Sequence, residues 1–164
     1  MHILIKLLAD GLLLPIVLLA GYVLLLRVPK KQRYDFYTKV IMAGLTSYTM
    51  AKFVAAVWQP ASNRPFEQLG VQAGASYLNN PGFPSDHVLF AGFLTIAVWY
   101  ASKSKKLTYA MVGMTALMAF GRVLAQVHTP LDVMGGAVFA LLGLFWYVLG
   151  NGHAKKYSHT SIDK

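Results

Sequence analysis

The chain has 164 residues, 56% of them hydrophobic and 13% charged, and its mean hydropathy is +0.50. This composition argues against a soluble domain and predicts one all-α integral membrane domain over residues 1–164, with a basic polar tail at about 151–164. The absence of cysteine excludes disulfides, thiol catalysis and cysteine metal sites. We attribute the net charge of +9 to basic cytoplasmic loops rather than to a nucleic-acid partner.

Five apolar stretches predict a polytopic bundle of five transmembrane helices, with a sixth possible, because about 20 residues cross a hydrocarbon core of about 30 Å. They cover approximately residues 8–26, 36–58, 84–101, 107–127 and 130–149. Lys6 and Asp10 are spaced to form an i, i+4 ion pair on a helix, and Pro15 allows a kink in the first span. We interpret the first stretch as a span rather than a signal peptide, because it is long and lacks a clear cleavage site.

The basic residues predict the orientation of the spans. They lie in the loops after spans one and three and in the tail, at Arg27, Lys30, Lys31, Arg33, Lys103, Lys105, Lys106, Lys155, Lys156 and Lys164. The positive-inside rule assigns these segments to the cytoplasm and the N-terminus to the outside of the plasma membrane. The polar stretch 59–83, a predicted lid or surface-lying segment, then shares the outer face with the start of span three and with residues 122–132.

His128 and Asp132 stand four residues apart at the start of the last span. Thr129 and Pro130 suit the first positions of a helix, so Asp132 fits a capping box with Thr129. The same spacing lets Asp132 bond one imidazole nitrogen of His128 and leave the other free as a nucleophile or base. These interpretations are compatible. Arg122, six residues earlier, is either an interfacial arginine or a charged fork for phosphate oxygens.

Pro84-Ser85-Asp86-His87 opens the third span. Ser85 or Asp86 is a candidate helix cap, and a helix N-terminus also suits a bound phosphate. His87 in the first turn is a candidate proton donor to a departing oxygen. Asp86 is unfavourable beside an anion, so we expect it to pair with a cation or to cap the helix.

Two further cations complete the set of candidate residues. Lys52 lies in an apolar helix about two turns before the end of span two, where its amine needs a partner or water. Arg64 precedes Pro65 in the outer loop, where an arginine is commonly just solvated.

These residues resemble the type 2 phosphatidic acid phosphatases, the membrane branch of a superfamily that includes vanadium haloperoxidases. The motifs of that family are Lys-x6-Arg-Pro, Pro-Ser-Gly-His and Ser-Arg-x5-His-x3-Asp. The third keeps its spacing here, with Gly121 in place of serine, and the second has Asp86 in place of glycine. In the first, strict spacing from Lys52 leads to Gln59, whereas the nearest Arg-Pro begins at Arg64. We prefer Arg64, with a bulge in the loop.

The resemblance implies a phosphohistidine mechanism without a metal or cofactor. His128 is the implied nucleophile, oriented by Asp132, and His87 is the implied proton donor. The implied phosphate site consists of Lys52, Arg64, Arg122, Ser85 and the adjoining Asp86. The substrate class is a lipid phosphate or diphosphate. Asp86 after Pro-Ser resembles the bacitracin-resistance type of undecaprenyl-diphosphate phosphatase, with phosphatidylglycerophosphate or phosphatidic acid as alternatives.

Three other functional classes remain. A small transporter predicts polar groups through the depth of the bundle, whereas the middles of spans three and five are almost wholly apolar. A haem protein with His87 and His128 as axial ligands leaves Arg122 and Asp132 unexplained. A catalytically inactive relative is compatible with the altered first motif and with Gly121.

Overall fold

The computed structural model describes residues 2–149, and every regular element among them is helical. The predicted basic tail at 151–164 lies outside the described residues. The helices are α1 (His2–Lys6), α2 (Leu13–Leu26), α3 (Arg33–Val57), α4 (Pro65–Gln68), α5 (Asp86–Ser102), α6 (Lys105–Leu124) and α7 (Pro130–Leu142). A π-helical turn, Leu7–Gly11, joins α1 to α2.

Four segments are long and apolar enough to cross a membrane. They are Ile3–Leu26, Lys30–Val57, Lys105–Leu124 and Pro130–Leu149. The remaining predicted span corresponds to α5, which is apolar but has only 17 residues. Large apolar side chains such as Ile41, Leu117 and Met134 point away from the protein, as expected where lipid is the solvent. The chain is therefore an integral membrane protein built from several apolar helices.

Helix α5 lies at the centre of the bundle and packs against α2, α3, α6 and α7. Small residues permit these close contacts, because membrane helices associate through backbone approach rather than through hydrophobic expulsion of water. A Cβ added at Gly136 of α7 would lie 2.6 Å from the carbonyl oxygen of Ser85. This contact fixes the start of α7 against the start of α5, where the two histidine motifs lie.

The predicted ion pair between Lys6 and Asp10 is not present in the N-terminal segment. Asp10 does not pair with Lys6, because it contacts Arg122 of α6 and the backbone of Ser76 instead. The π-helical turn lies just before Pro15, which has no N–H to donate to the carbonyl of Gly11. The wider turn changes the direction of the side chains that follow Lys6, so the i, i+4 geometry expected of an α-helix is lost.

The connection between α3 and α5 folds over one end of the bundle. Its only described helix is α4, and the backbone N–H groups of Phe66 and Gly74 donate to the carbonyls of Gln126 and Ala125, each at 3.0 Å. The predicted lid is thus held against the segment between α6 and α7. The basic loops 27–33 and 103–106 lie at the opposite ends of the same helices.

Candidate phosphate site

A cavity of about 220 Å³ lies under the loop, at the end of the bundle where α5 and α7 begin and α6 ends. Four predicted cationic or imidazole side chains, from well-separated parts of the sequence, line it together. The lining residues are Arg64, Ser76, Tyr77, Leu78, Asn80, Gly82, Pro84, Asp86, His87, Arg122 and His128. The tertiary fold therefore brings both histidines to one small cavity.

His128 is buried just before α7, and its two nitrogens have different neighbours. Nδ1 lies 3.5 Å from Asp132 Oδ2, slightly beyond an ordinary hydrogen bond, and Nε2 lies 3.4 Å from Arg122 Nη2. A guanidinium can only donate, so this arrangement favours the tautomer with the proton on Nδ1 and the lone pair on Nε2. Burial, aided by Arg122, lowers the pKa of His128 against the opposing effect of Asp132, and keeps the imidazole neutral.

Asp132 serves the helix and the histidine together. Its Oδ2 accepts a 2.7 Å hydrogen bond from the backbone N–H of Thr129, while its own N–H donates to Thr129 Oγ1 at 3.2 Å. The predicted capping box is confirmed. The same Oδ2 faces His128 Nδ1, so the cap fixes the carboxylate in place beside the imidazole.

Arg122 is 1% exposed near the end of α6. Its Nη1 lies 2.7 Å from Asp10 Oδ1, and its Nε has no hydrogen-bond partner among the described residues. A buried guanidinium nitrogen without a partner is costly. Arg122 also lines the cavity, where a bound anion would be a favourable partner for its positive charge.

Arg64 is likewise buried, although it comes from the loop. Its guanidinium donates to the carbonyls of Val127, Leu78 and Asn80, and to Asn80 Oδ1 at 2.7 Å. Burial lowers the pKa of Arg64, opposed by the charges of Asp132 and Glu67, and the group remains a cation. Gln59 instead donates to the carbonyls of Ala55 and Phe83 and does not line the cavity.

The second motif divides between the cavity and its surroundings. His87 and Asp86 line the cavity from the first turn of α5. Lys52 lies outside the lining and donates to both oxygens of Asp86, at 2.7 and 3.0 Å. The expected cation for Asp86 is therefore Lys52, and this pairing offsets the carboxylate that would otherwise repel an anion.

Ser85 precedes α5 but does not cap it through its side chain. Its N–H donates to the carbonyl of Asp132 at 2.9 Å, and its buried hydroxyl has no partner within residues 2–149. Of the two candidate caps, Ser85 therefore makes no side-chain cap, and it is not among the residues that line the cavity.

Several residues at the site were not found from the sequence. Local spacing suggested Lys6 as the partner of Asp10. No sequence pattern points to Asn80, which accepts from Arg64, or to Ser76, which donates to Asp10, because both hydrogen bonds join distant segments. Among residues 2–149 there is no group of three or more His, Asp or Glu side chains placed to hold a metal ion.

Comparison with known proteins assigns the family. The model of the PAP2 superfamily matches residues 35–155. One relative, named "Putative undecaprenyl-diphosphatase YbjG" and from Escherichia coli (strain K12), is 29% identical over 99 residues. The match covers 54% of this chain and 47% of the relative, so the chain spans about half the length of that protein. No solved structure matches the chain. Since the family model matches most of its length, the chain belongs to the PAP2 superfamily.

Proposed function

We propose that this protein is a membrane lipid phosphatase that works through a phosphohistidine intermediate. The observation that carries the proposal is the set of two imidazoles and two guanidiniums lining one cavity at an end of the helix bundle: His87, His128, Arg64 and Arg122. Such a set supplies a nucleophile, a proton donor and an anion clamp without a metal ion.

In the first step, the lone pair on Nε2 of His128 attacks phosphorus. The N–P bond forms as the bond between phosphorus and the leaving oxygen breaks. Asp132, 3.5 Å from Nδ1, stabilises the positive charge that develops on the imidazole. The lowered pKa of His128 favours this step, because only the unprotonated nitrogen is nucleophilic.

His87 donates a proton to the leaving oxygen of the lipid. Water then attacks the phosphohistidine, His87 accepts its proton, and inorganic phosphate leaves as the N–P bond breaks. With a diphosphate substrate the broken bond is P–O–P, and the departing lipid keeps one phosphate.

The cations stabilise charge on the transferring phosphoryl group. Arg64 is held rigidly by four acceptors, and Arg122 has an unpartnered Nε among the described residues. Fixed donors of this kind are worth more than mobile ones because they need little reorganisation during the reaction. Lys52 acts through Asp86, and the Ser85 hydroxyl is available as a further donor.

A groove of about 710 Å³ between α5, α6 and α7 suits the lipid tail. It is lined mainly by apolar side chains, from Val88 and Val133 near the site to Trp99 and Tyr109 near the other end of the bundle. We expect Ala116→Trp, which fills this groove, to lower turnover of a long-chain lipid phosphate by about tenfold while sparing a short-chain one. The neighbouring control is Leu117→Trp, since Leu117 faces lipid outside the groove. If Ala116→Trp turns over the long-chain and the short-chain substrate equally well, the lipid tail does not bind in this groove.

We favour undecaprenyl diphosphate as the substrate and the outer leaflet as the location of the site. The substrate rests on the name of the bacterial relative and on the Asp86 variant of the second motif. The orientation rests on the positive-inside rule, since both described basic loops lie at the end opposite the cavity. Phosphatidylglycerophosphate and phosphatidic acid are the alternative substrates.

The deciding experiment measures phosphate release from a panel of lipid mono- and diphosphates in detergent, with a chelator present. We expect release from at least one of them, highest with undecaprenyl diphosphate, and a loss of at least about a thousandfold in His128→Ala. Asp35→Ala, at the far end of α3, is the control for substitution in general. Full activity in His128→Ala would eliminate the phosphohistidine mechanism.

A further inference from the structure

Asp10 connects three parts of the molecule, although it does not line the cavity. Its Oδ1 lies 2.7 Å from Arg122 Nη1, and its Oδ2 accepts a 2.9 Å hydrogen bond from the backbone N–H of Ser76. Arg122 and Ser76 both line the cavity. The carboxylate therefore joins the N-terminal helix to α6 and to the loop that covers the site.

Gly121 permits the N-terminal helix to come this close to α6. A Cβ at position 121 would lie 2.8 Å from the backbone N of Ala9 and 2.8 Å from Leu8 Cβ, so a side chain there would displace the segment. Asp10 follows directly in the π-helical turn Leu7–Gly11. The missing side chain and the wide turn together bring the carboxylate to Arg122.

We propose that Asp10 is a positioning residue for the phosphate site, supplied by a helix outside the residues 35–155 that match the family. The inference rests on the proposed phosphatase function. Asp10 holds Arg122 by Nη1, which leaves Nη2 facing His128 Nε2 at 3.4 Å and leaves Nε without a described partner. A phosphoryl group at Nε2 of His128 then meets a guanidinium that is already oriented.

The orientation matters because a guanidinium presents its N–H groups in a rigid, planar fork. Rotation of the Arg122 plane would move every donor away from the equatorial oxygens of the transferring group. Residues that orient the ligands of a metal ion typically affect activity by about tenfold to a hundredfold when they are replaced, and we expect an effect of this size for a residue that orients a guanidinium. Through Ser76, the same carboxylate ties the position of the loop to the position of the guanidinium.

Asp10→Asn tests the role, because the amide keeps the shape of the side chain and removes its charge. We expect kcat to fall by about tenfold to a hundredfold while KM changes by less than about threefold, since the interaction matters most in the transition state. Orthovanadate adopts the five-coordinate geometry of phosphoryl transfer, so its affinity should fall by about tenfold, whereas that of inorganic phosphate should change by less than about threefold. Both affinities are measured by calorimetry on the full chain in detergent.

Two further variants complete the experiment. Asp35→Asn removes a carboxylate from a salt bridge of the same 2.7 Å length, with Lys39, and should leave all values unchanged. Gly121→Ser keeps Asp10 but displaces its segment, and should reproduce the selective loss of vanadate affinity. Thermal unfolding of each variant in the same detergent establishes that it is folded.

Vanadate affinity within about twofold of the wild type in Asp10→Asn, or an equal loss for vanadate and phosphate, overturns the proposal. This readout does not need a lipid substrate. A wild-type chain that hydrolyses no lipid phosphate, together with a selective vanadate loss in Asp10→Asn, contradicts the proposed function and supports the role of Asp10. If the wild type and Asp10→Asn hydrolyse lipid phosphates equally well, the result supports the proposed function and contradicts the role of Asp10.

Discussion

The segment from Arg122 to Asp132 and the loop before α5 both contribute residues to the candidate phosphate site, but they are built differently. In the first, a capping box and an i, i+4 spacing bring Asp132 to His128 within one turn. In the second, Arg64 reaches the cavity because carbonyls and an amide from Leu78, Asn80 and Val127 hold its guanidinium. The comparison shows that His128, the proposed nucleophile, is positioned by local geometry, whereas Arg64, one of the proposed phosphate-binding cations, depends on the folded loop.

The contribution of the loop is tested by substituting Arg64, whose partners are Leu78 and Asn80 in the loop and the carbonyl of Val127 beside His128. Arg64→Ala removes a buried cation and its four hydrogen bonds, so we expect turnover of the lipid phosphate to fall by about a hundredfold or more. Gln59→Ala removes a side chain that bonds only to the carbonyls of Ala55 and Phe83, and should lower turnover by less than about threefold. Phosphate release by the two purified variants is the measurement. A larger loss in Gln59→Ala would reverse the assignment of the first motif.

Asp132 both contacts His128 and caps α7, and substitutions can separate these two functions. Asp132→Asn keeps the volume of the side chain but weakens its interaction with His128, so turnover should fall by about tenfold to a hundredfold. Thr129→Ala removes the other half of the capping box and should cost about 1 kcal/mol in the free energy of unfolding, with a smaller loss of turnover. Kinetics and thermal unfolding of both variants are compared. Equal turnover in the two would mean that Asp132 only caps the helix.

The pH dependence of kcat/KM is the smallest of the expected effects, and it tests the protonation state of His128. Burial lowers the pKa of His128 below its ordinary value of 6.5, so the proposed nucleophilic nitrogen takes up its proton at a lower pH than a free imidazole does. We expect the loss of kcat/KM on acidification to begin below pH 6.5 and to follow the lowered pKa of His128. A loss that is complete above pH 6.5 would contradict the neutral, buried imidazole.

The same shift has a counterpart in stability. An unfolded His128 binds its proton near pH 6.5, whereas the folded one binds it only at lower pH, so the free energy of unfolding falls as pH drops below 6.5. His128→Ala should weaken that dependence. This dependence is measured by unfolding both proteins in detergent at several pH values between about 5 and 8, the range in which histidine side chains titrate.

Much of this molecule was predictable from local patterns. Apolar stretches identified the long membrane helices, and the spacing of Thr129 and Asp132 identified the cap at the start of α7. The second and third motifs led to the family, which the match over residues 35–155 confirms. These features depend on neighbours within a few residues or on composition averaged over a helix, and a single sequence contains both kinds of information.

The sequence by itself determined the helical membrane architecture through its hydropathy and the pair His128–Asp132 through its i, i+4 spacing. It indicated the family through the resemblance of its second and third motifs. Only the tertiary structure decided that Arg64 rather than Gln59 reaches the cavity, that Lys52 binds Asp86, and that Asp10 leaves Lys6 for Arg122. Those contacts join segments that are distant in the chain, and which of the available charges meet is set by backbone approach at small residues and by the π-helical turn.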